Sequence, residues 1–403
     1  MITRIDNFIR DEVEEYGDRL FAAVLLVISL IIRIVLVPKT NWSPDYLSCL
    51  EPWVEEYRAL GVVKGLGTAI GNYYIPYNIV LALASLVPVR ACYPLAAVSC
   101  VFEYIMVLYA GKILAWLGKK EQGAADMRRV LFAAMLILYL PPVILNGAFW
   151  KQCDAIYSAF ALMAFYELLR EKYYRSFWLL SLAFVFKLQV ILILPVFLIA
   201  YFCGKKYSIL LWLRLPVTYL EAGLPALLCG RSARDVYGIY FRQSDQYHYM
   251  FMNTGGLYRL LRSDYSALSQ AAVFATMGFL VFMFAYIYNR REKVGDRELF
   301  LTAAVTSYGC FLFLPAMHER YDYLAVVLAT LYYAYYDRKK LYIPAAIVIV
   351  TSVMYHAYLF GGNTLPEEAY AIVCLAAFAM MVMELVRLLG AKKGEVENAD
   401  KDK

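Results

Sequence analysis

Long apolar runs alternate with short polar segments along almost the whole chain. Each run covers about 17 to 25 residues, the length that an α-helix needs to cross roughly 30 Å of hydrocarbon. The clearest runs are residues 130–147, 154–170, 207–230, 268–289, 298–315, 322–337, 341–360 and 367–390. The pattern predicts an all-α protein, a polytopic bundle of about ten to twelve transmembrane helices in which residues 1–390 form a single domain.

The composition supports a membrane location. Of the 403 residues, 62% are apolar and 18% are charged, which leaves too few polar groups to cover a soluble globule of this size. Residues 1–20 lack the short apolar core and small-residue cleavage site of a secretory signal peptide, so we expect the first span to remain as an anchor. Residues 391–403 are rich in charge and are expected to form a disordered cytoplasmic tail.

Basic residues cluster in the polar segments and predict the orientation of the helices. The clusters are Lys119/Lys120 with Arg128/Arg129, Lys172/Arg175, Lys205/Lys206, Arg290/Arg291/Lys293/Arg297, Arg338/Lys339/Lys340 and Lys392/Lys393. By the positive-inside rule these clusters face the cytoplasm, so each segment between two neighbours crosses the membrane an even number of times. The net charge of +6 therefore indicates topology and not nucleic-acid binding.

Two segments do not fit this rule as single helices. Residues 176–203 form one long apolar run with Lys187 near its middle, where a lipid-exposed lysine costs about 2.5 to 3.5 kcal/mol. We therefore expect two short helices hinged at "KLQ", with Lys187 on the outer side. Residues 73–117 contain two apolar runs split by "PVRACYP". One of these runs is re-entrant or lies flat, or the segment makes three short passes.

The unusual polar segments gather on the outer side of this map. They are "TNWSPDYLSCLEPW", "NGAFWKQCD", "KLQ", the long loop 231–267 and "MHERYD". In the first outer loop, residues 39–75, apolar side chains follow Pro52 at helical spacing, which predicts a short helix that lies on the membrane. Ionisable groups at this depth are functional candidates.

Two aspartates and three basic side chains form the candidate site. Asp45 and Asp154 stand near the starts of predicted helices, where a carboxylate can cap the helix or act in catalysis. Lys187, Arg320 and His318 would provide cationic groups at the headgroup plane for a leaving phosphate. Together these residue types suit sugar transfer from a lipid phosphate, in which a carboxylate takes the proton of the attacking hydroxyl.

Other roles for the cations remain open from the residues alone. Arg320 could pair with Glu319 or Asp322, or extend to lipid headgroups. Lys187 could be the tip of a helix hairpin that reaches water.

The long outer loop 231–267 combines tyrosines and arginines, with Gly255 and Gly256 as a break between two expected short helices. Aromatic faces can stack on sugars and arginines can hold phosphates. The same mixture is typical of any interfacial belt, so the loop is a candidate ligand-binding element or a membrane-surface element.

The order of these motifs resembles the integral-membrane GT-C glycosyltransferases and is most similar to the bacterial relatives of the PIG-V type GPI mannosyltransferase. The resemblance runs from about residue 30 to about residue 325. Its most specific elements are Trp150, Gln152 and Asp154, followed by Lys187 and Gln189. One departure is Lys151, where the family pattern often has a small neutral residue; it could add a phosphate ligand or adjust the choice of acceptor.

The resemblance implies an enzyme with its active site on the extracytoplasmic face of the cell membrane, which moves a mannose-like hexose from a polyprenyl-phosphate donor to a glycan or lipid-linked acceptor, with inversion. It implies Asp45 as the catalytic base, Asp154 as the second acidic residue, and Lys187, His318 and Arg320 around the donor phosphate. Residues implied to bind substrate are Trp53, Asn72, Tyr73, Tyr77, Trp150, Gln152, Gln189 and Glu319.

Two other classes of protein share some of these features. A flippase or transporter of lipid-linked sugars would also be polytopic with buried charges, but transporters tend to show internal repeats and midplane charges, which we do not find in the sequence. A lipid-linked oligosaccharide polymerase or ligase would share the outer-face arginines. No cofactor, disulfide framework or zinc site is expected, because the eight cysteines lack paired spacing and the three histidines are dispersed. Two separated aspartates are compatible with help from a divalent ion.

Overall fold

A computed structural model of the protein describes residues 3–261, 264–362 and 366–390, and the expected tail, 391–403, lies outside them. Helices dominate the described chain. Those of the first half are α1 (Arg4–Leu36), α2 (Glu51–Leu60), α3 (Val62–Gly67), α4 (Ile75–Ser85), α5 (Cys92–Gln122), α6 (Met127–Leu136), α7 (Pro141–Ile144), α8 (Asp154–Leu169), α9 (Tyr173–Phe186) and α10 (Leu194–Gly204).

The second half continues in the same way and adds two very short strands. Its helices are α11 (Arg214–Leu228), α12 (Ala233–Tyr237), α13 (Ile239–Ser244), α14 (Tyr258–Leu261), α15 (Tyr265–Tyr288), α16 (Asp296–Phe313), α17 (Tyr323–Tyr336), α18 (Tyr342–Phe360) and α19 (Glu367–Gly390). The strands are β1 (Phe251–Met252) and β2 (Met317–His318). The all-α class is confirmed apart from these strands.

The apolar runs of the sequence coincide with helices. The runs 154–170, 268–289 and 298–315 correspond to α8, α15 and α16 within a few residues at each end. The run 130–147 is bent by 53° between Met127–Tyr139 and Pro141–Phe149. The bend follows from the proline pair at its centre, because proline has no backbone N–H to donate to the preceding turn.

Within the described residues, five helical stretches are long and apolar enough to cross a membrane, or six if the bent pair is one span. They are Tyr16–Leu36, Cys92–Gln122, Tyr265–Tyr288, Arg338–Phe360 and Glu368–Gly390. Shorter apolar helices are Ile75–Ser85, Leu188–Gly204 and Tyr323–Tyr336. The protein is therefore a polytopic helical membrane protein, and the finer count of about ten to twelve crossings stays a prediction.

Helices α8, α16 and α17 form the centre of the bundle. Every residue of α17 and most residues of α8 and α16 are buried. Helices α1 and α15 lie at the periphery and expose large apolar side chains along much of their length. Apolar surfaces of this extent indicate contact with lipid.

Two breaks between helices shape the walls of the candidate site. Helix α9 ends at Phe186, and Lys187 has an extended backbone before a 3₁₀ turn, Leu188–Ile193, leads into α10. The break expected at "KLQ" is thus confirmed, and Lys187 lies at a helix end. The second break is the π turn Leu145–Phe149, after which residues 150–153 are not helical.

The first loop contains the predicted short helix. Helix α2 has Pro52 in its first turn, buries Val54 and Tyr57, and leaves Glu55 and Glu56 exposed. Such a division of apolar and acidic faces is typical of a helix at an interface, although its angle to the membrane stays a prediction. A π turn, Tyr46–Leu50, precedes it, and the side chain at the N-cap of this turn, position 45, makes no capping hydrogen bond.

The long loop 231–267 packs against the "MHERYD" segment through a two-stranded sheet. Strand β1 pairs in parallel with β2, so that Phe251 lies beside Met317 and Met252 beside His318. Two short helices, α12 and α13, precede the strand and α14 follows it, so the glycine pair separates short helices as expected. The sheet brings a loop that is distant in sequence next to the C-terminal end of α16 and the N-terminal end of α17.

Candidate functional site

A cavity of about 660 Å³ lies where the first loop, the break at Lys187, the long loop and the "MHERYD" segment meet. Predicted site residues that line it are Asp45, Trp53, Asn72, Tyr73, Gln152, Lys187, Gln189, His318 and Arg320. Predicted residues that do not line it are Tyr77, Trp150, Asp154 and Glu319, all of which are buried nearby. The structure thus brings together residues from segments as far apart as the first loop and the turn before α17.

The Asp45 carboxylate is held by four donors from three parts of the chain. Its Oδ2 accepts hydrogen bonds from Trp150 Nε1 at 3.1 Å, Gln152 Nε2 at 2.8 Å and Arg320 Nη1 at 3.5 Å. Its Oδ1 accepts one, from the Tyr358 hydroxyl at 2.5 Å. The capping interpretation of Asp45 is therefore wrong. Because Oδ2 already has three donors, the acceptor capacity still open to a ligand is on Oδ1.

Arg320 is 12% exposed and only loosely paired. Its Nη1 lies 3.5 Å from Asp45 Oδ2 and 3.4 Å from Glu319 Oε1, both long for charge-assisted contacts. Its guanidinium carbon lies 4.9 Å from the Trp150 ring centroid. Among the described residues, its buried Nε has no hydrogen-bond partner. A buried guanidinium with an unused donor beside a cavity is well placed to bind an anion.

Asp154 lies behind the cavity wall and holds Lys187. The carboxylate is fully buried, and it accepts hydrogen bonds from Lys187 Nζ at 2.6 Å and from Asn146 Nδ2 at 2.9 Å. Lys187 itself lines the cavity, and its Nζ lies 5.9 Å from the Tyr321 ring centroid, the same separation as for the Arg320 guanidinium. The two cations therefore flank one aromatic ring in the same wall.

His318 and Glu319, which precede Arg320 in the "MHERYD" segment, are not a simple pair of opposite charges. Burial, with the neighbouring Arg320 and Lys187 cations, lowers the pKa of His318 to about 2, so the imidazole is neutral near pH 7. A neutral imidazole can offer a hydrogen bond but no positive charge, and the placement of His318 at the donor phosphate stays a prediction. Burial raises the pKa of Glu319 to about 7, against the opposing effect of Arg320.

Uncharged polar side chains line the cavity on the side of the long loop. Asn72 Nδ2 donates to Gln246 Oε1 at 3.2 Å, and Gln243 Nε2 donates to the Asn72 carbonyl at 2.5 Å. The neighbouring Tyr73 hydroxyl donates to Gln152 Oε1 at 3.2 Å, and Gln152 in turn donates to Asp45. This neutral wall, Asn72, Gln243 and Gln246, therefore adjoins Tyr73 along the chain, and Tyr73 is connected to the carboxylate through Gln152.

Aromatic rings support the neutral wall. The Tyr73 and Tyr77 ring centroids are 4.5 Å apart, and Trp53 meets Tyr73 edge to face at 6.1 Å. Tyr77 is buried, whereas Trp53 and Tyr73 face the cavity. Flat apolar faces next to amide groups are the usual surroundings of a small polar ligand in a pocket.

Another part of the cavity lining is apolar and includes side chains that are partly exposed. Leu188, Ile191 and Leu192 of the 3₁₀ turn line it together with Val273 of α15. Ile191 is 40% exposed and Val273 is 43% exposed. Helix α15 is a candidate membrane span, so this apolar part of the lining adjoins a helix that is expected to contact lipid.

Several residues of the site were missed by sequence reasoning. Tyr358, Asn146, Gln243, Gln246 and Tyr321 all take part in it. Tyr358 lies near the end of the run 341–360, which the predicted topology places on the outer side. With 36 tyrosines in the chain, however, residue type alone could not single it out.

The chain matches no protein-family model, and no curated protein matches it. Among the residues that the structure describes, no group of three or more His, Cys, Asp or Glu side chains is arranged to hold a metal ion. Function is therefore inferred from the shape and charge of the cavity.

Proposed function

We propose that this protein is a membrane glycosyltransferase of the GT-C type, which moves a hexose from a polyprenyl-phosphate donor to an acceptor at the extracytoplasmic face. The observation that carries the proposal is that Asp45, Arg320 and Lys187 line one cavity together with Ile191 and Val273, apolar side chains that are 40% and 43% exposed. A base, two cations and a lipid-accessible wall are the groups that this reaction needs. The basic clusters would lie in the cytoplasm, with about ten to twelve crossings.

The donor phosphate would bind between Arg320 and Lys187. Arg320 supports this role because its contacts with Asp45 and Glu319 are long and its Nε is unused among the described residues. Lys187 is held toward the cavity by Asp154, which would act as a positioning residue and not as a second catalytic carboxylate. Fixed cations at the phosphate stabilise the charge that develops as the glycosidic bond breaks.

The acceptor hydroxyl would bind at Asp45 Oδ1. Asp45 takes the hydroxyl proton, the acceptor oxygen bonds to the anomeric carbon, and the bond from that carbon to the phosphate oxygen breaks with inversion. The polyprenyl phosphate then carries the released electron pair and leaves with its charge facing Arg320 and Lys187. Trp150 and Gln152 support this step by fixing the carboxylate through Oδ2, which leaves Oδ1 for the substrate.

The sugar groups would lie against the neutral wall, and the polyprenyl tail would leave through the apolar side. The neutral wall offers amide donors and acceptors, Tyr73 and Trp53 offer aromatic faces, and Gln189 and His318 offer further hydrogen bonds. Ile191 and Val273 line the side where the tail would meet the bilayer.

A flippase or a lipid-linked oligosaccharide polymerase is the second candidate. A flippase needs to pass its cargo between membrane faces and has no use for a carboxylate fixed by four donors beside two cations. A polymerase would use the cations but would not need Asp45 as a base.

The direct test is to offer the purified protein in lipid nanodiscs a panel of polyprenyl-phosphate hexoses, with alkyl glycosides as acceptors, and to measure polyprenyl phosphate release. We expect one donor of the panel to lose its sugar, and no release from protein carrying Asp45→Asn. Transport of an intact donor across liposomes by both proteins equally would instead support the flippase.

A further inference from the structure

Lys151 separates the two residues that fix the proposed base, and its own side chain points elsewhere. Trp150 and Gln152 both donate to Asp45 Oδ2, whereas Lys151 does not line the cavity and is fully buried. Its φ of 59° lies in the left-handed region, which is uncommon for a residue with a side chain. The chain therefore accepts an unfavourable backbone conformation and a buried lysine at the same position.

The ammonium group of Lys151 bridges two backbone carbonyls. Its Nζ donates to the Phe149 carbonyl at 2.5 Å and to the Lys39 carbonyl at 3.1 Å. It also lies 5.5 Å from the ring centroids of Tyr46 and Phe149. Among the described residues, no carboxylate forms an ion pair with it, so these carbonyls and rings are its partners.

These contacts connect the first loop to the segment that fixes Asp45. Lys39 and Ser43 belong to the first loop, and Ser43 Oγ donates to the Trp150 carbonyl at 3.2 Å. The Lys151 bond to Lys39 and the Ser43 bond to Trp150 therefore join residues 39–46 to residues 149–152 on the side away from the cavity. On the cavity side, the same two segments are joined through the Asp45 carboxylate.

We propose that Lys151 is a positioning residue, whose buried ammonium clamps the first loop against residues 149–152 and so sets where the Asp45 carboxylate stands. The left-handed backbone lets the Trp150 and Gln152 side chains both donate to Asp45 while the lysine side chain reaches the Phe149 and Lys39 carbonyls. Its role is neither to bind phosphate nor to choose the acceptor, the two roles that the sequence left open. Burial lowers the pKa of Lys151 to about 8, so the clamp is charged near pH 7.

The first test measures the loop and does not depend on the proposed function. Hydrogen exchange of peptides covering residues 40–50 would be compared between the wild-type protein, Lys151→Met and Tyr139→Phe. Tyr139 donates one hydrogen bond to the Leu25 carbonyl within α1, outside residues 39–46 and 149–152, and serves as the matched control. We expect Lys151→Met to speed exchange in residues 40–50 by about tenfold or more, because two charged hydrogen bonds are lost, and Tyr139→Phe to leave it unchanged.

Two further variants separate the side chain from the backbone and guard against misfolding. Lys151→Gly relieves the left-handed conformation but removes the clamp, so it should loosen the loop as Lys151→Met does. Ser43→Ala removes the hydrogen bond from Ser43 to the Trp150 carbonyl and should speed exchange in the same peptides to a smaller extent. This variant can be measured even if Lys151→Met does not fold. Unchanged exchange of residues 40–50 in Lys151→Gly and Ser43→Ala would overturn the proposal.

The second test rests on the proposed function. In the donor-release assay, Lys151→Met should lower kcat by about tenfold to a hundredfold while the KM for the donor changes little, because the base is displaced and the cations are not. A raised donor KM with unchanged kcat would assign Lys151 to phosphate binding and overturn the positioning role. If no donor is cleaved by the wild-type protein, the exchange experiment still decides on the clamp.

Discussion

Two arginine–carboxylate pairs in this protein have the same chemistry but opposite surroundings. Arg33 of α1 meets Glu103 of α5 with Nε and Oε2 2.5 Å apart, and their side chains are 2% and 0% exposed. Arg320 meets Asp45 at 3.5 Å, with side chains 12% and 22% exposed, at the wall of a cavity. The first pair lies between two candidate membrane spans, and the second lies between loops.

The difference extends to the remaining donors of each arginine. Arg33 also donates to the carbonyls of Ser29 at 3.1 Å and Leu138 at 3.2 Å, so its guanidinium is used within the helices. Arg320 Nε has no partner among the described residues. A guanidinium whose three nitrogens all have partners within the protein contributes to the structure, whereas one with an unused nitrogen beside a cavity is available to a ligand.

The largest expected effect follows from neutralising Asp45 in the Arg320–Asp45 pair. Asp45→Asn keeps the shape of the side chain but removes the proton acceptor, so kcat for sugar transfer should fall about 10³-fold to 10⁴-fold. Donor affinity should stay within a few fold because the cations remain. Turnover and donor binding of the purified variant check this, with Asp245→Asn as the control, since Asp245 is 86% exposed and does not line the cavity. A modest loss of turnover would remove Asp45 from the role of base.

For the Arg33–Glu103 pair we expect the opposite result, a loss of stability with little loss of turnover. Arg33→Met leaves Glu103 buried without its counter-ion, which should lower the free energy of unfolding by about 3 to 5 kcal/mol. Turnover of the molecules that remain folded should be close to wild type, because neither side chain lines the cavity. Thermal unfolding in detergent measures the loss.

A double variant sharpens this prediction. Arg33→Met with Glu103→Leu removes both charges and should recover much of the stability lost in the single variant, because no buried charge is left unpaired. A double variant as unstable as the single one would show that the pair is not the source of the loss.

The sequence predicted the helices well because the period and length of apolar runs are local properties. The break at Lys187 and the helix after Pro52 could be placed for the same reason, since a central lysine and an early proline have strong positional preferences. Asp45 and Arg320 could be assigned to one face from the distribution of basic residues alone. Their meeting at one cavity required the fold.

The sequence could not predict which side chains line the cavity and which lie behind its wall. Asp154 and Lys187 were expected side by side at the substrate, yet only Lys187 lines the cavity. The difference depends on side-chain packing among α8, α9 and the π turn, which no residue pattern encodes. Arg33 and Glu103 were each visible as a lone charge in an apolar run, a signal that could have paired α1 with α5.

The geometry of the Arg320 guanidinium offers a more specific test with a smaller expected effect. Arg320→Lys keeps the charge but removes the planar fork and its unused Nε, so kcat/KM for the donor should fall about 30-fold to 100-fold. The exposed Arg242, whose guanidinium contacts backbone carbonyls and does not line the cavity, gives the matched control Arg242→Lys. Equal kcat/KM values for the two variants would mean that Arg320 acts only as a point charge or not at all.

The smallest expected effect concerns how Glu319 competes for Arg320. Burial raises the pKa of Glu319 to about 7, and its Oε1 lies 3.4 Å from Arg320 Nη1. Below that pH the carboxyl is protonated and neutral; above it the anion competes with the donor phosphate, itself a phosphodiester with no proton to lose in this range. The KM for the donor should therefore rise about threefold to tenfold between pH 6 and pH 8.

Glu319→Gln should flatten this rise and keep KM low. Asp322→Asn is the control, because burial raises the pKa of Asp322 to about 7 as well but its carboxylate bonds to Thr351 and not to Arg320. A rise in KM that persists in Glu319→Gln and disappears in Asp322→Asn would assign the titration to Asp322. It would contradict the proposal that Glu319 competes with the donor phosphate for Arg320.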